Sequence, residues 1–118
     1  MKRVPLLVLT FGIAASSLAD SAVLVGIDTY PFLPGAKLSA CENDVDLMRG
    51  ILSRRGFSSF VTMKSNDASK ENILAAMDRA IRKAIPGERV VYYHSGHGSQ
   101  AQDGKSTLLT ASSKGNFE

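Results

Sequence analysis

One cysteine, Cys41, is the whole thiol content of the 118 residues, so no disulfide can form within the chain. A lone thiol of this kind is either buried or functional. Histidine is almost as scarce, His94 and His97 being the only two. Joined by Asp28 they would make a thin ligand set, because zinc needs three or four convergent ligands, and no metal site is expected. Neither G-x-G-x-x-G nor a Walker loop occurs, which leaves nucleotide binding unsupported. A basic stripe with interleaved aromatics is also missing. The formal net charge is +3, but Lys2 and Arg3 supply two of the 14 basic residues, and without them 12 basic residues face 11 acidic ones. Nucleic acid is therefore not an expected partner. No internal repeat, linker or low-complexity tract divides the chain, and a hydrophobic content of 44% fits one globular domain.

Long hydrophobic runs are absent too, and the one candidate stands at the start. Lys2-Arg3 followed by VPLLVLTFGIAASSLA has the charged start, apolar middle and small residues at Ser17 and Ala19 of a secretory signal peptide. The apolar stretch is short for a spanning helix and is diluted by Gly12, Ser16 and Ser17. The expectation is a leader at 1–19 cleaved after Ala19, an exported protein in the periplasm or outside the cell, and no membrane attachment afterwards. Of 118 residues, removal of those 19 leaves 99, as a single domain over 20–118.

What is present alternates between two periods. SAVLVGI, Ser21 to Ile27, is a short apolar run that reads as a first strand. TYPFLPGAKLSA then holds Pro31, Pro34 and Gly35, which forbid regular structure and predict a surface loop. Ser39 to Glu42 has capping-box spacing, and Val45, Met48 and Leu52, with Leu47 and Ile51, recur at helical intervals up to Gly56. Phe60 to Met63 predicts a second strand. Ile73, Leu74, Met77, Ile81 and Ala84 put an apolar face on a second helix, ended by Pro86-Gly87. After Gln100 no further element is predicted. The order β-α-β-α-β implies an α/β fold with a parallel sheet and right-handed crossovers.

The stretch that organises the rest is VVYYHSGHGSQ, Val90 to Gln100. Its apolar half reads as a strand buried on both faces. Its glycines let the backbone turn sharply and leave His97 uncrowded at the strand's C-terminal end, the edge where open α/β sheets carry chemistry. On its own His97 is a candidate general acid and base or a plain turn residue. His94 reads as a structural residue continuing the strand.

PGERVVYYHSGHGSQ, Pro86 to Gln100, resembles the segment that carries the catalytic histidine of the caspase-like cysteine peptidases, and its SGHG form is most similar to the metacaspase and orthocaspase branch. Gly26, Ile27, Asp28 and Tyr30 match that family's G-I-(D/N)-x-Y signature, and SACENDV matches its G-C-x-N-D segment. The likeness runs from about Val23 to Gln100 and corresponds to the first half of the family's catalytic domain. It implies a caspase-like three-layer fold, a mostly parallel sheet flanked by helices and incomplete in this chain. It implies a cysteine endopeptidase with His97 as general acid and base.

By the same resemblance Cys41, Asp44 and Ser95 line the substrate pocket, and the Asp44 carboxylate favours Arg or Lys before the scissile bond. Cys41, in the first turn of a helix, stays open as a nucleophile, as a pocket wall or as a buried thiol; Asp44 could instead be a helix-start residue and Ser95 a turn residue. The family's own nucleophile sits in a D-x-C-x-S-G-like turn on a later strand, which this chain lacks. Many metacaspases hold calcium with acidic residues, but Ser106 and Thr107 stand where acids would be, so no cofactor is expected. The expected partners are a peptide or protein substrate and the missing C-terminal half of the domain. Two accounts fit: part of an exported peptidase whose remainder carries the nucleophile, or an inactive relative that binds peptides at the pocket edge. A three-stranded sheet with an unfinished edge favours the first.

Overall fold

The computed structural model describes residues 18–115 together with Arg3 and Pro5. The leader expected at 1–19 lies outside the described residues apart from Arg3, Pro5, Leu18 and Ala19. Strand β1 spans Asp20–Gly26, helix α1 Cys41–Arg54, strand β2 Phe57–Lys64, helix α2 Lys70–Lys83 and strand β3 Val90–Ser95. Two short strands follow, β4 at Gly98–Gln100 and β5 at Ser106–Leu108.

The main sheet is parallel in the order β2-β1-β3. The chain leaves β1 toward one side to build β2 and then crosses to the other side to build β3. The crevice beyond the C-terminal ends of β1 and β3 is thus the point where the strand order reverses, the usual ligand position in open α/β sheets. Register sets the details: Val25 pairs with His94 and Gly26 with Ser95.

Alternation along β1 divides the core in two. Ala22 and Leu24 pack with Val45 of α1, flanked by Met48, Leu52, Val91 and Tyr93. Val23, Val25 and Ile27 pack with Met63 and with Ile73 and Ala76 of α2, flanked by Met77, Ala80 and Tyr92. Each helix therefore covers its own face, and the three-layer expectation holds. The helical stripes are narrower than the apolar spacing implied: Leu47 and Ile51 on α1 and Leu74 and Ile81 on α2 are exposed. On α2 the small side chains of Ala76 and Ala80 meet the sheet, one helical turn apart, where larger residues would hold the helix off.

Four local expectations are corrected. First, α1 starts at Cys41 behind Ala40, whose side chain caps nothing. The Asp28 carboxylate does that from the loop, accepting the Cys41 N–H at 2.8 Å and the Glu42 N–H at 3.3 Å. Second, the loop after β1 is no surface excursion: Tyr30, Leu33 and Ala36 are buried in the α2-side core. Third, β3 is an edge strand with every residue only half buried, because among the described residues one of its sides has no neighbouring strand; β1 is the strand buried on both faces. Fourth, the residues after Gln100 do form structure, the antiparallel pair β4-β5, in which Gly98 pairs with Leu108 and Gln100 with Ser106. That hairpin lacks the β-branched, alternating pattern by which strands are read from sequence.

Candidate functional site

At the C-terminal end of the sheet the loop after β1, the start of α1 and the loop after β3 converge. Gly26 makes the approach of α1 possible. A Cβ at this position would overlap the Cys41 carbonyl oxygen and stand 2.6 Å from Val45 Cγ2. Asp28 then ties the loop to both neighbours. Its side chain caps α1, its carbonyl accepts the Leu38 N–H at 2.8 Å, and its N–H and that of Thr29 reach Ser65 Oγ at 3.1 and 3.3 Å. Ser65 holds a φ of +47° to present that hydroxyl, a backbone conformation uncommon for a residue other than glycine.

Three of the residues read from the sequence meet across this junction. Ser95, on the α1 face of β3, donates its hydroxyl to Asp44 Oδ2 at 2.6 Å. Cys41, one turn before Asp44 on the same helix face, is buried beside Ser95. Burial pushes the Cys41 thiol above its ordinary value; Ser95 opposes the rise, and the Asp28 and Asp44 carboxylates add to it. Burial first and the two acids second thus make the environment favour a neutral thiol over a thiolate. Among the described residues no cation pairs with Asp44 or Asp28, and no group of three His, Cys, Asp or Glu residues could hold a metal ion.

Three contacts with described residues hold His97. Its N–H donates to Tyr30 Oη at 2.8 Å, its carbonyl accepts the Leu109 N–H at 3.0 Å, and its Nε2 lies 2.6 Å from the Ala36 carbonyl oxygen. A carbonyl only accepts, so Nε2 carries the proton and Nδ1 is the nitrogen through which the neutral ring can take up another. This orientation suits a base whose conjugate acid is steadied by a carbonyl behind it. Sequence reasoning identified His97, Ser95, Asp44 and Cys41 but assigned no part to Tyr30, Asp28 or Ala36. The first two stand in the G-I-D-x-Y stretch, which was the only signal available for them; a backbone carbonyl leaves none.

His94, three residues before His97, faces the α2 side and behaves differently. Its Nδ1 is 2.8 Å from Tyr92 Oη, while its buried Nε2 has no hydrogen-bond partner among the described residues. Burial lowers its pKa, and the Leu109 backbone opposes the shift without closing a well-formed bond on Nε2. The structural reading of His94 fits this placement. An apolar groove of about 310 Å³ between Ile73, Leu74, Met77, Tyr92 and Leu108 also lies on the α2 side, away from Asp44 and Ser95.

A parallel sheet, a histidine loop beyond its edge strand and an acid held opposite by a serine are consistent with the class of caspase-like cysteine peptidase domains. A family model described as the metacaspase, peptidase C14 domain matches residues 21–112. The chain belongs to the metacaspase family. It is 34% identical over 89 residues to Metacaspase-1 of Mycosarcoma maydis, a match covering 69% of this chain and 22% of that protein. It is 31% identical over 104 residues to Metacaspase-1 of Meyerozyma guilliermondii, covering 80% and 25%, and 30% identical over 91 residues to Metacaspase-2 of Trypanosoma brucei brucei, covering 69% and 26%. The chain thus spans about a quarter of the length of these curated relatives. No solved structure matches it significantly.

Proposed function

We propose that this chain supplies the histidine and the substrate pocket of a cysteine endopeptidase that cuts after Arg or Lys, and that the nucleophilic thiol comes from a further segment seated beside β3. The observation that carries the proposal is the 2.6 Å contact of His97 Nε2 with the Ala36 carbonyl, which turns Nδ1 into the base. Nδ1 takes the proton of the attacking thiol, and the thiolate adds to the peptide carbonyl carbon. The imidazolium, steadied by Ala36, protonates the leaving amine as the C–N bond breaks. Water, deprotonated by the same ring, then hydrolyses the thioester.

Asp44 receives the substrate's guanidinium or ammonium group, with Ser95 fixing the carboxylate and Cys41 as a neutral wall. The burial of Cys41 supports that assignment over a nucleophilic one. Residues 1–19 act as the export signal, which N-terminal sequencing of the secreted material tests: a first residue of Asp20 is expected, and an uncleaved Met1 in exported protein would refute it.

The function itself is tested with the protein as its own cell makes it. Its intact mass and peptide map should reveal a second cysteine, and this form should cleave Arg and Lys amide substrates. In that form Cys41→Ala should retain activity and His97→Ala should lose roughly 10²- to 10⁴-fold, the usual share of general acid–base catalysis. Residues 20–118 alone should cleave nothing. Measurable cleavage by that segment would overturn the proposed division of labour.

A further inference from the structure

Three described anchors of His97 are unequal. Two are backbone groups, the Ala36 carbonyl and the Leu109 N–H. The third is a side chain, the Tyr30 hydroxyl, and it reaches His97 from 67 residues away in sequence. Tyr30 is 6% exposed, and its ring meets the His97 ring at 5.2 Å between centroids with a 52° tilt. The Tyr30 backbone also leads to the other contact of that ring. The Tyr30 carbonyl accepts the Leu33 N–H at 3.1 Å and the Leu33 carbonyl accepts the Ala36 N–H at 3.2 Å, so successive turns lead from Tyr30 to the carbonyl that binds Nε2. Space around the hydroxyl is equally specified: a Cβ on Gly96 would stand 2.5 Å from Tyr30 Oη, so residue 96 must be glycine for the phenol to reach the His97 N–H. Burial pushes the Tyr30 phenol above its ordinary value, which keeps it a neutral hydroxyl.

We infer that Tyr30 is a positioning residue for His97: its hydroxyl fixes the histidine backbone and its backbone starts the turns that carry the Ala36 carbonyl, so that the hydroxyl sets the place in which the imidazole meets that carbonyl. The inference deepens the proposed role of His97 and rests on it for its catalytic meaning, but the geometry can be tested without turnover.

The chain has two histidines, so untagged protein carrying ¹³C,¹⁵N-histidine shows only His94 and His97. In the wild type the His97 Nε2–H should be visible as a slowly exchanging imidazole proton. Tyr30→Phe keeps the ring and removes only the acceptor. It should speed exchange of the His97 amide roughly tenfold, the factor an ordinary hydrogen bond accounts for, and broaden the Nε2–H signal away. The His94 signals and the amide of Ile27, bonded to Ser95, should not change. Gly96→Ala, whose Cβ would crowd the phenol oxygen, should change the His97 signals in the same way; because that Cβ also stands 3.3 Å from His94 Nε2, the His94 control is read from Tyr30→Phe.

Unchanged His97 exchange and an intact Nε2–H signal in a folded Tyr30→Phe protein would overturn the inference. So would unfolding of that variant, because the hydroxyl would then be holding the fold rather than the histidine. If the signature moves as expected while His97→Ala leaves the cell-made enzyme fully active, the positioning stands and the proposed function fails.

Discussion

The two ends of the parallel sheet both carry acids, and they use them differently. At the N-terminal end Asp20 is 8% exposed and fully engaged: Oδ1 accepts the Arg89 N–H at 2.7 Å, and Oδ2 accepts the Arg89 guanidinium at 2.6 and 2.9 Å. The same guanidinium donates to the Arg55 carbonyl and lies 4.8 Å over the Phe57 ring. Hydrogen bonds from Arg89 hold the Asp20 carboxyl below the usual carboxylate range. At the C-terminal end Asp44 has a hydroxyl for a partner, and among the described residues no cation approaches it. An acid that holds the fold together comes with its own cation. Under the proposed function, the acid oriented by a serine takes its cation from the substrate.

The largest expected effect tests whether the C-terminal end depends on close approach. Gly26→Ala should cost roughly 3 kcal/mol, the upper part of the overpacking range, because the new Cβ meets helix backbone that cannot rotate aside. Chemical denaturation measures it, and a loss below about 1 kcal/mol would mean that α1 is less tightly seated than its contacts imply.

Asp44→Asn sharpens the comparison directly. In the cell-made enzyme it should lower kcat/KM for Arg and Lys substrates by about ten- to a hundredfold, the scale of a lost charge-assisted hydrogen bond, with little change in melting temperature. Asp20→Asn should do the reverse, lowering stability and sparing specificity. If both variants affected stability alone, the distinction between the two ends would collapse.

Asp28→Ala, which strips the cap from α1, should destabilise by about 1–2 kcal/mol and speed amide exchange at Cys41 and Glu42 first.

The smallest effect is a pH dependence. The folded His94 pKa lies below its unfolded value near 6.5, so the unfolded chain binds more protons in the interval between the two. The stabilising contribution of neutral His94 is fully present above about pH 6.5 and is lost as pH falls through the folded pKa. His94→Gln should flatten this part of the stability profile. Asp20 acts in a lower range: its pKa is depressed, so its contribution is full above the unfolded value near 3.9 and is lost as pH falls through the folded value. Asp20→Asn should remove that acid limb.

Most of the chain's organisation was legible before any coordinates. Alternating apolar periods located β1, both helices and β3, and the residues around His97 carried the family. Other features were hidden for physical reasons. The loop at Tyr30, Leu33 and Ala36 contains two prolines nearby and no periodicity, so its burial had no local signature. Ser39 looked like the cap of α1 because caps are usually local; the real cap, Asp28, is 13 residues upstream of Cys41. Leu74 and Ile81 seemed to belong to the buried face, whereas the sheet selected Ala76 and Ala80, which fit closer to it.

By itself, then, the sequence determined which residue types could do chemistry and which elements they belong to, because period and turn chemistry act over a few neighbouring residues. Only the tertiary structure decided what each group faces. It placed Ser95 on Asp44, the Tyr30 hydroxyl and the Ala36 carbonyl on His97, and Arg89 on Asp20, all of them partners more than 50 residues apart. Such contacts depend on strand order and register, which emerge only when β1 is enclosed between β2 and β3 and both helices close over its two faces.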